Sequence, residues 1–274
     1  MSSLLRLART LRTFRTPQRT NTMSSHFFSP SHNPSPLGLP SSRFYSGGGR
    51  GGGGYTNYQA QETANKTVLY TLIGANVAVY GYAVHLRVQA KRGHQLPFVR
   101  FMQRMTLNLS EFQKGSYLPI LTSTFTHLDI GHIFSNMFTA YFLGSFLASA
   151  PAITPLRYLT IAVGSGLAGS VGHLFSRYYQ IQAQAPGTRD TMRGLGFSGS
   201  VMGISTVAAC LAPQTRVAIW GIIPMPLWAL VTGYAVYDGY YLNSVDSRIG
   251  HAGHLGGLTF GLLYYIARLR GLRY

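Results

Sequence analysis

Apolar residues in this chain gather into long blocks. Blocks able to cross most or all of about 30 Å of hydrocarbon recur at 67–86, 132–150, 156–175, 198–212, 219–237 and 252–268, divided by polar turns. Residues 1–66 hold no comparable block. The segment 87–131 carries only short apolar patches, Phe98-Val99 and Leu118-Pro119-Ile120-Leu121, among Arg87, Lys91, Arg92, Arg100, Arg104, Glu111 and Lys114. The pattern predicts an all-α polytopic membrane protein, a bundle of six transmembrane helices with a long interfacial loop between helices 1 and 2.

Six spans place both ends of the bundle on one side and make the second, fourth and sixth helices parallel. His132 then opens the second span, Ser198 the fourth, and His254 lies near the start of the sixth. Topology alone brings these polar groups to a similar depth on one face. The fourth block ends before Pro213 and at 1.5 Å per residue covers about 22 Å, so Ser198 is expected to be recessed below the near surface. Irregular backbone leading to it from the polar segment 177–197 is tolerated there only inside protein or along a wet cavity.

Composition agrees with this picture. Of 274 residues 46% are apolar and 11% charged, too few charges for an ordinary soluble domain. The net charge of +17 is unevenly spread: no Asp or Glu precedes Glu62, whereas Arg6, Arg9, Arg12, Arg15, Arg19, Arg43 and Arg50 do. The first arginines recur every third residue among Leu4, Leu5, Leu7, Leu11 and Phe14. An acid-free, Arg- and Ser-rich amphipathic start marks a mitochondrial targeting segment. A nucleic-acid arm is the other reading of clustered arginine, and the spans that follow weigh against it. Arg43-Phe44-Tyr45-Ser46 resembles a matrix-peptidase site, although a chance match in a Ser/Pro/Gly tract gives the same letters. The expected organisation is a presequence at 1–45, a flexible Gly-rich linker at 46–66 and a membrane domain at 67–274. Cys210 has no cysteine partner and reads as a small core residue.

Glycine and serine at the head of the fourth block raise the question of chemistry. A serine hydroxyl needs a base, and histidine is the usual one near neutral pH. Ser198 and His254 are the candidate pair. Gly199 and Gly203 on the fourth span, with Gly253, Gly257 and Gly261 on the sixth, have the spacing that lets helix backbones approach closely. His132 and Asn136 share one face of the second span and, with the backbone N–H of Ser198, could donate to an oxyanion. An Asn within a membrane helix is a functional candidate by default. Ser200, Ser205, Ser135 and His173 read as packing or capping groups.

Other chemistries fit less well. Position 200 is Ser, so the G-x-S-x-G elbow fails. His127, His132, His251 and His254 could be assembled into a metal site, but there is no H-E-x-x-H, and Asp129 and Asp246 are the only carboxylates close to them in sequence. No metal or other cofactor is expected. A channel or transporter would need charges inside the spans, and the six blocks have almost none between their ends.

Gly196-Phe197-Ser198-Gly199, the His132 to Asn136 pair on the second span, and His254-Leu255-Gly256-Gly257-Leu258-Thr259-Phe260-Gly261 on the last resemble the motifs of the rhomboid intramembrane serine proteases. The likeness covers about residues 67–270 and is to their mitochondrial, presenilin-associated rhomboid-like branch. It implies a Ser198–His254 dyad without an acidic third member, His132 and Asn136 at the oxyanion, His127 as a structural loop residue, and an active site facing the intermembrane space. Implied partners are the lipid bilayer and single-span inner-membrane substrates, including dynamin-like fusion GTPases, with no nucleic acid. A rhomboid-like protein that binds membrane helices without cutting them is the alternative; it would not need Ser198, His254 and Asn136 together. One departure concerns Met202, where bacterial relatives carry a tyrosine that stacks on the catalytic histidine.

Overall fold

The computed structural model describes residues 52–272, apart from 186, 220–221, 243 and 245–248. The expected presequence, its expected cut near Arg43 and the glycines before position 52 lie outside the described residues.

The first helix, α1, runs from Gly52 to Lys91. It begins well inside the segment expected to be flexible linker. The run Asn57 to Lys66 contains neither Gly nor Pro, and its polar side chains have fixed partners. Tyr58 donates to the carbonyl of Ser149 (2.6 Å), Gln61 to that of Ile153 (2.8 Å), and buried Asn65 to those of Ala148 (2.9 Å) and Ile153 (2.7 Å). These bonds satisfy carbonyls at the end of the next long helix and in the turn beyond it. Residues 52–66 are thus a helical extension, and α1 reaches about 60 Å.

The long connection expected after the first block is partly ordered into α2 (Gln95–Met105), α3 (Leu109–Phe112), α4 (Pro119–Thr122) and a 3-10 turn, Ser123–Phe125. Asp129 then caps α5 (Ile130–Ala148) by accepting the N–H of His132 at 3.0 Å, as a good N-cap residue does. Thr154 caps α6 (Pro155–Gln182), which has proline in its first turn. The short α7 follows, Ser198–Leu211.

The fifth block is not one helix. Arg216–Ile219 (β1) and Ile223–Pro226 (β2) form an antiparallel hairpin in the register Arg216↔Pro226 to Ile219↔Ile223. Pro224 and Pro226 cannot donate within a helix, and β-branched residues favour the extended form. Helix α8 therefore starts only at Leu227 and continues to Tyr240, shifting the expected frame of 219–237 toward the C-terminus. The last helix, α9 (His251–Tyr264), runs on as a π-helical turn at Tyr265–Leu269.

Helix directions follow from close contacts between glycine-bearing turns. On α6 and α9, Gly172 meets Ala252, Gly169 meets Gly253 and Gly164 meets Phe260, an antiparallel series. On α7 and α9, Gly199 meets Gly253 and Gly257, and Gly203 meets Gly257 and Gly261, a parallel one. Helix α7 is the hub: every residue from Gly199 to Ala209 is buried, and it packs against α5, α6, α8 and α9.

Polarity is inverted on the outer helices. Helix α8 buries only Leu227 and Asp238 while exposing Trp228, Tyr234, Val236, Tyr237 and Tyr240; α5 exposes Phe134, Phe138, Tyr141 and Phe142. Apolar surface of that extent suits lipid. Within α1, Thr56–Lys91, and the whole of α6 are long and apolar enough to cross a membrane, and α7 is a shorter apolar helix.

Candidate active site

The approach to Ser198 is tied down by the loop that precedes α5. Leu107 and Gly194 exchange backbone bonds (2.9 and 2.7 Å), and the N–H of Gly196 donates to the carbonyl of Ser123 (2.9 Å). The N–H of Phe197 donates to His127 Nε2 at 3.2 Å. Arg193 adds bonds to Glu111, to the Thr106 hydroxyl (3.0 Å) and to the Met102 carbonyl (3.2 Å). Gly196 has φ 120°, a conformation side-chain-bearing residues avoid. A Cβ there would also lie 2.6 Å from the His132 ring. The glycine thus lets the backbone turn and leaves room for an imidazole. Gly194 has a different reason: a Cβ would meet the His173 ring at 2.7 Å.

Ser198 is the first residue of α7, so its N–H has no intrahelical acceptor. His132 and Asn136 stand on the first turns of α5. Asn136 is buried and uses both amide hydrogens, one toward the His132 carbonyl (2.9 Å) and one toward His127 Nε2 (3.3 Å). Because His127 Nε2 has a single lone pair, it is shared between Asn136 and the N–H of Phe197. The rings of His127 and His132 meet edge to face, centroids 4.9 Å apart. His127 is fully buried, and burial, helped by nearby His132, pushes its pKa down to about 3.

Helix α9 arrives beside α7 at backbone contact. A Cβ on Gly199 would lie 3.3 Å from the Gly253 carbonyl oxygen; one on Gly257 would overlap the Gly199 carbonyl and lie 2.9 Å from its Cα; one on Gly261 would lie 2.6 Å from the Gly203 carbonyl oxygen. Gly203 is equally constrained, since a Cβ there would overlap Ser165. These contacts bring the turn bearing His254 beside the turn bearing Ser198. Among the described residues no hydrogen bond joins the Ser198 hydroxyl to His254. The imidazole is held from its other side instead.

That partner is Asp238 of α8, whose two carboxylate oxygens each lie 3.1 Å from His254 Nδ1. The same carboxylate takes His251 Nδ1 at 2.6 Å, and His251 stacks on Tyr241. His254 thus has a carboxylate neighbour that the expected dyad does not include. The sequence offered the signal in the form of an Asp beside an apolar block. It was lost because the block was framed as 219–237; with the hairpin removed, α8 extends past Asp238 and buries it to 2% exposure. The carboxylates weighed instead have other roles or locations: Asp129 caps α5, and Asp246 lies outside the described residues.

Comparison with known proteins agrees with this geometry. Residues 114–271 match the model of the Rhomboid domain family. Three relatives align with more than half of the chain. RHOMBOID-like protein 12, mitochondrial, of Arabidopsis thaliana is 30% identical over 63% of this chain and 52% of its own length. Rhomboid protein 1, mitochondrial, of Saccharomyces cerevisiae is 27% identical over 76% and 55%. Rhomboid protease AarA of Providencia stuartii is 26% identical over 72% and 70%. The chain spans about half the length of the two mitochondrial relatives. Taken with the helical architecture and its apolar outer faces, the match establishes that this chain belongs to the rhomboid family, in its mitochondrial branch.

Proposed function

We propose that the chain is an intramembrane serine endopeptidase with Ser198 as nucleophile and His254 as its base. The observation that carries this reading is the meeting of three helix starts, those of α5, α7 and α9, around one serine and one imidazole. Helices α1, α5, α6, α7, α8 and α9 would be the six spans, with the helix starts facing the intermembrane space. Arg157, Arg268 and Arg270 then lie toward the matrix, the side basic residues favour; Arg87, Lys91, Arg92, Arg100, Arg104 and Lys114 of the long loop lie on the other side, so the orientation follows the family resemblance and not charge bias.

In the reaction, His254 Nε2 takes the hydroxyl proton as Ser198 Oγ bonds to the scissile carbonyl carbon. The imidazolium then gives that proton to the leaving amide nitrogen, and an acyl-enzyme remains. Water reverses the sequence on the ester. The oxyanion would be met by the Ser198 N–H, His132 and Asn136. Asn136 can supply a hydrogen at little cost, because its bond to His127 is the longer of two competing for one lone pair. Substrates would be single-span proteins of the inner membrane, including dynamin-like fusion GTPases, cut where the helix unwinds enough to show a carbonyl.

The test is cleavage of a model single-span substrate by the full chain in proteoliposomes. Ser198→Ala is expected to lower kcat by more than about a thousandfold while leaving the melting temperature intact. Cleavage retained by purified Ser198→Ala overturns the assignment. A wild-type chain that binds the substrate helix without cutting it would instead be a non-cleaving rhomboid-like binder.

A further inference from the structure

Asp238 is the one acidic side chain buried in α8, on a helix whose other polar groups face outward. A carboxylate at such a position is expensive unless paired. Here it is paired twice, with His254 Nδ1 (3.1 Å to each oxygen) and with His251 Nδ1 (2.6 Å). Both imidazoles stand on the first turn of α9, three residues apart and hence on neighbouring positions of one face. Among the described residues, Tyr234 of the same helix also bears on this carboxylate, Tyr237 and Tyr241 pack against His251, and His132 of α5 bears on His254.

We propose that Asp238 is the positioning residue of the catalytic histidine. The inference rests on the Ser198–His254 reading. An ionised carboxylate can only accept. The proton of neutral His254 therefore sits on Nδ1, and Nε2 keeps the bare lone pair that must receive the serine proton. When Nε2 takes it, the imidazolium keeps its charge against Asp238, which stays ionised; no second proton moves. His251 holds the carboxylate from the other side, and Tyr241 holds His251 by stacking. The link to α8 also matters: because Asp238 belongs to a different helix from His254, the ring is correctly set only while α8 and α9 are in register.

The experiment uses the full chain in proteoliposomes, read by cleavage of a single-span substrate and by labelling of Ser198 with a fluorophosphonate. Asp238→Asn keeps the shape and removes the charge. It is expected to lower kcat by 100-fold or more with KM within threefold of wild type, and Asp238→Glu to recover at least tenfold over Asn. A residue with only a packing role would reduce the folded fraction without splitting kcat from KM. Asp238→Asn with wild-type kcat per folded molecule overturns the proposal and leaves the protease reading standing. Should Asp238→Asn fail to fold, Asp238→Ser, which is smaller and meets no clash, is held to the same criteria. A wild-type chain that neither cleaves nor labels at Ser198 refutes the protease reading itself, and with it the ground for this assignment.

Discussion

The backbone N–H of Phe197 donates to the imidazole of His127 at 3.2 Å, across 70 positions of sequence. Through that bond a loop before α5 fixes the residue immediately ahead of Ser198. His127 is fully buried and accepts through Nε2, so it must be neutral with its proton on Nδ1.

Replacing His127 with Ala leaves the Phe197 N–H buried without an acceptor, a loss of about 1–3 kcal/mol. His127→Gln, whose side-chain carbonyl can accept the same bond, is expected to recover part of it. Thermal melts of the two variants in detergent, beside cleavage rates, separate the bond from the bulk: Ala lowers both, Gln lowers both less.

The same imidazole makes stability depend on pH. Its folded pKa is held down at about 3 by burial and by His132, while an exposed histidine titrates near 6.5. Between those values the unfolded chain binds the extra proton, so stability is full above about pH 6.5 and falls as pH drops toward 3. At pH 5 the loss amounts to about 2 kcal/mol from this residue. Melting temperatures at pH 7 and pH 5 check it: wild type should fall further than His127→Gln.

Glycine contacts make a sharper test of packing. Gly257→Ala would drive a methyl group into the Gly199 carbonyl, where the neighbour is backbone and cannot swing aside. Overpacking typically costs about 1–3 kcal/mol, and here it also separates α9 from α7, so cleavage should fall far more than stability. Gly74→Ala in α1 meets nothing within 4 Å and should be neutral or slightly stabilising by helix propensity. Equal losses in the two variants would show that close approach is not what Gly257 provides.

Much of this architecture was legible because it is written in periodic apolar blocks and glycine spacings. The start of α7 at Ser198 and the close approach of α7 to α9 follow from local composition alone. Three features were not legible. The hairpin at Arg216–Pro226 is apolar, so hydropathy counts it as membrane helix, while its prolines forbid that. Misplacing its boundary put Asp238 in a turn, although its partners on α9 are set by tertiary packing that no spacing rule contains. The helical extension of α1 at 52–66 was missed because adjoining glycines suggested a linker; its order comes from bonds to carbonyls some ninety positions away.

Asp190 anchors the loop ahead of the nucleophile. Its side chain is fully buried, accepts from Arg177 Nε (3.1 Å) and from its terminal nitrogen (2.6 Å), and takes the N–H of Met192 at 3.0 Å. Asp190→Asn leaves the largely buried Arg177 guanidinium without its counter-charge, a change that costs about 3–5 kcal/mol when a buried pair is broken. Limited proteolysis between Ala183 and Arg193 should accelerate, and Arg177→Met, which strands the fully buried Asp190 carboxylate in turn, should lower the melting temperature at least as much. If Asp190→Asn melts with wild type, the pair is not what holds this segment.

Asn136 offers a test of the oxyanion role separate from that of Ser198. In the resting geometry its amide bonds to the His132 carbonyl and shares His127 with Phe197. On the proposed reading one of those hydrogen bonds is redirected to the developing oxyanion, so the interaction exists only in the transition state. Asn136→Ala should then lower kcat by about 10²–10³ with little change in KM, the signature of a lost oxyanion donor. A residue that merely braced His127 would act differently. Its loss would let the His127 ring move, and with it the Phe197 bond and Ser198, lowering the reactivity of the serine toward a small fluorophosphonate as much as toward the substrate. The distinguishing measurement pairs Asn136→Ala with His127→Gln. If Asn136 serves the oxyanion, the Ala variant loses far more cleavage than the Gln variant at equal melting temperature. If it serves His127, the two lose cleavage in proportion to stability, and the double variant is no worse than either single one.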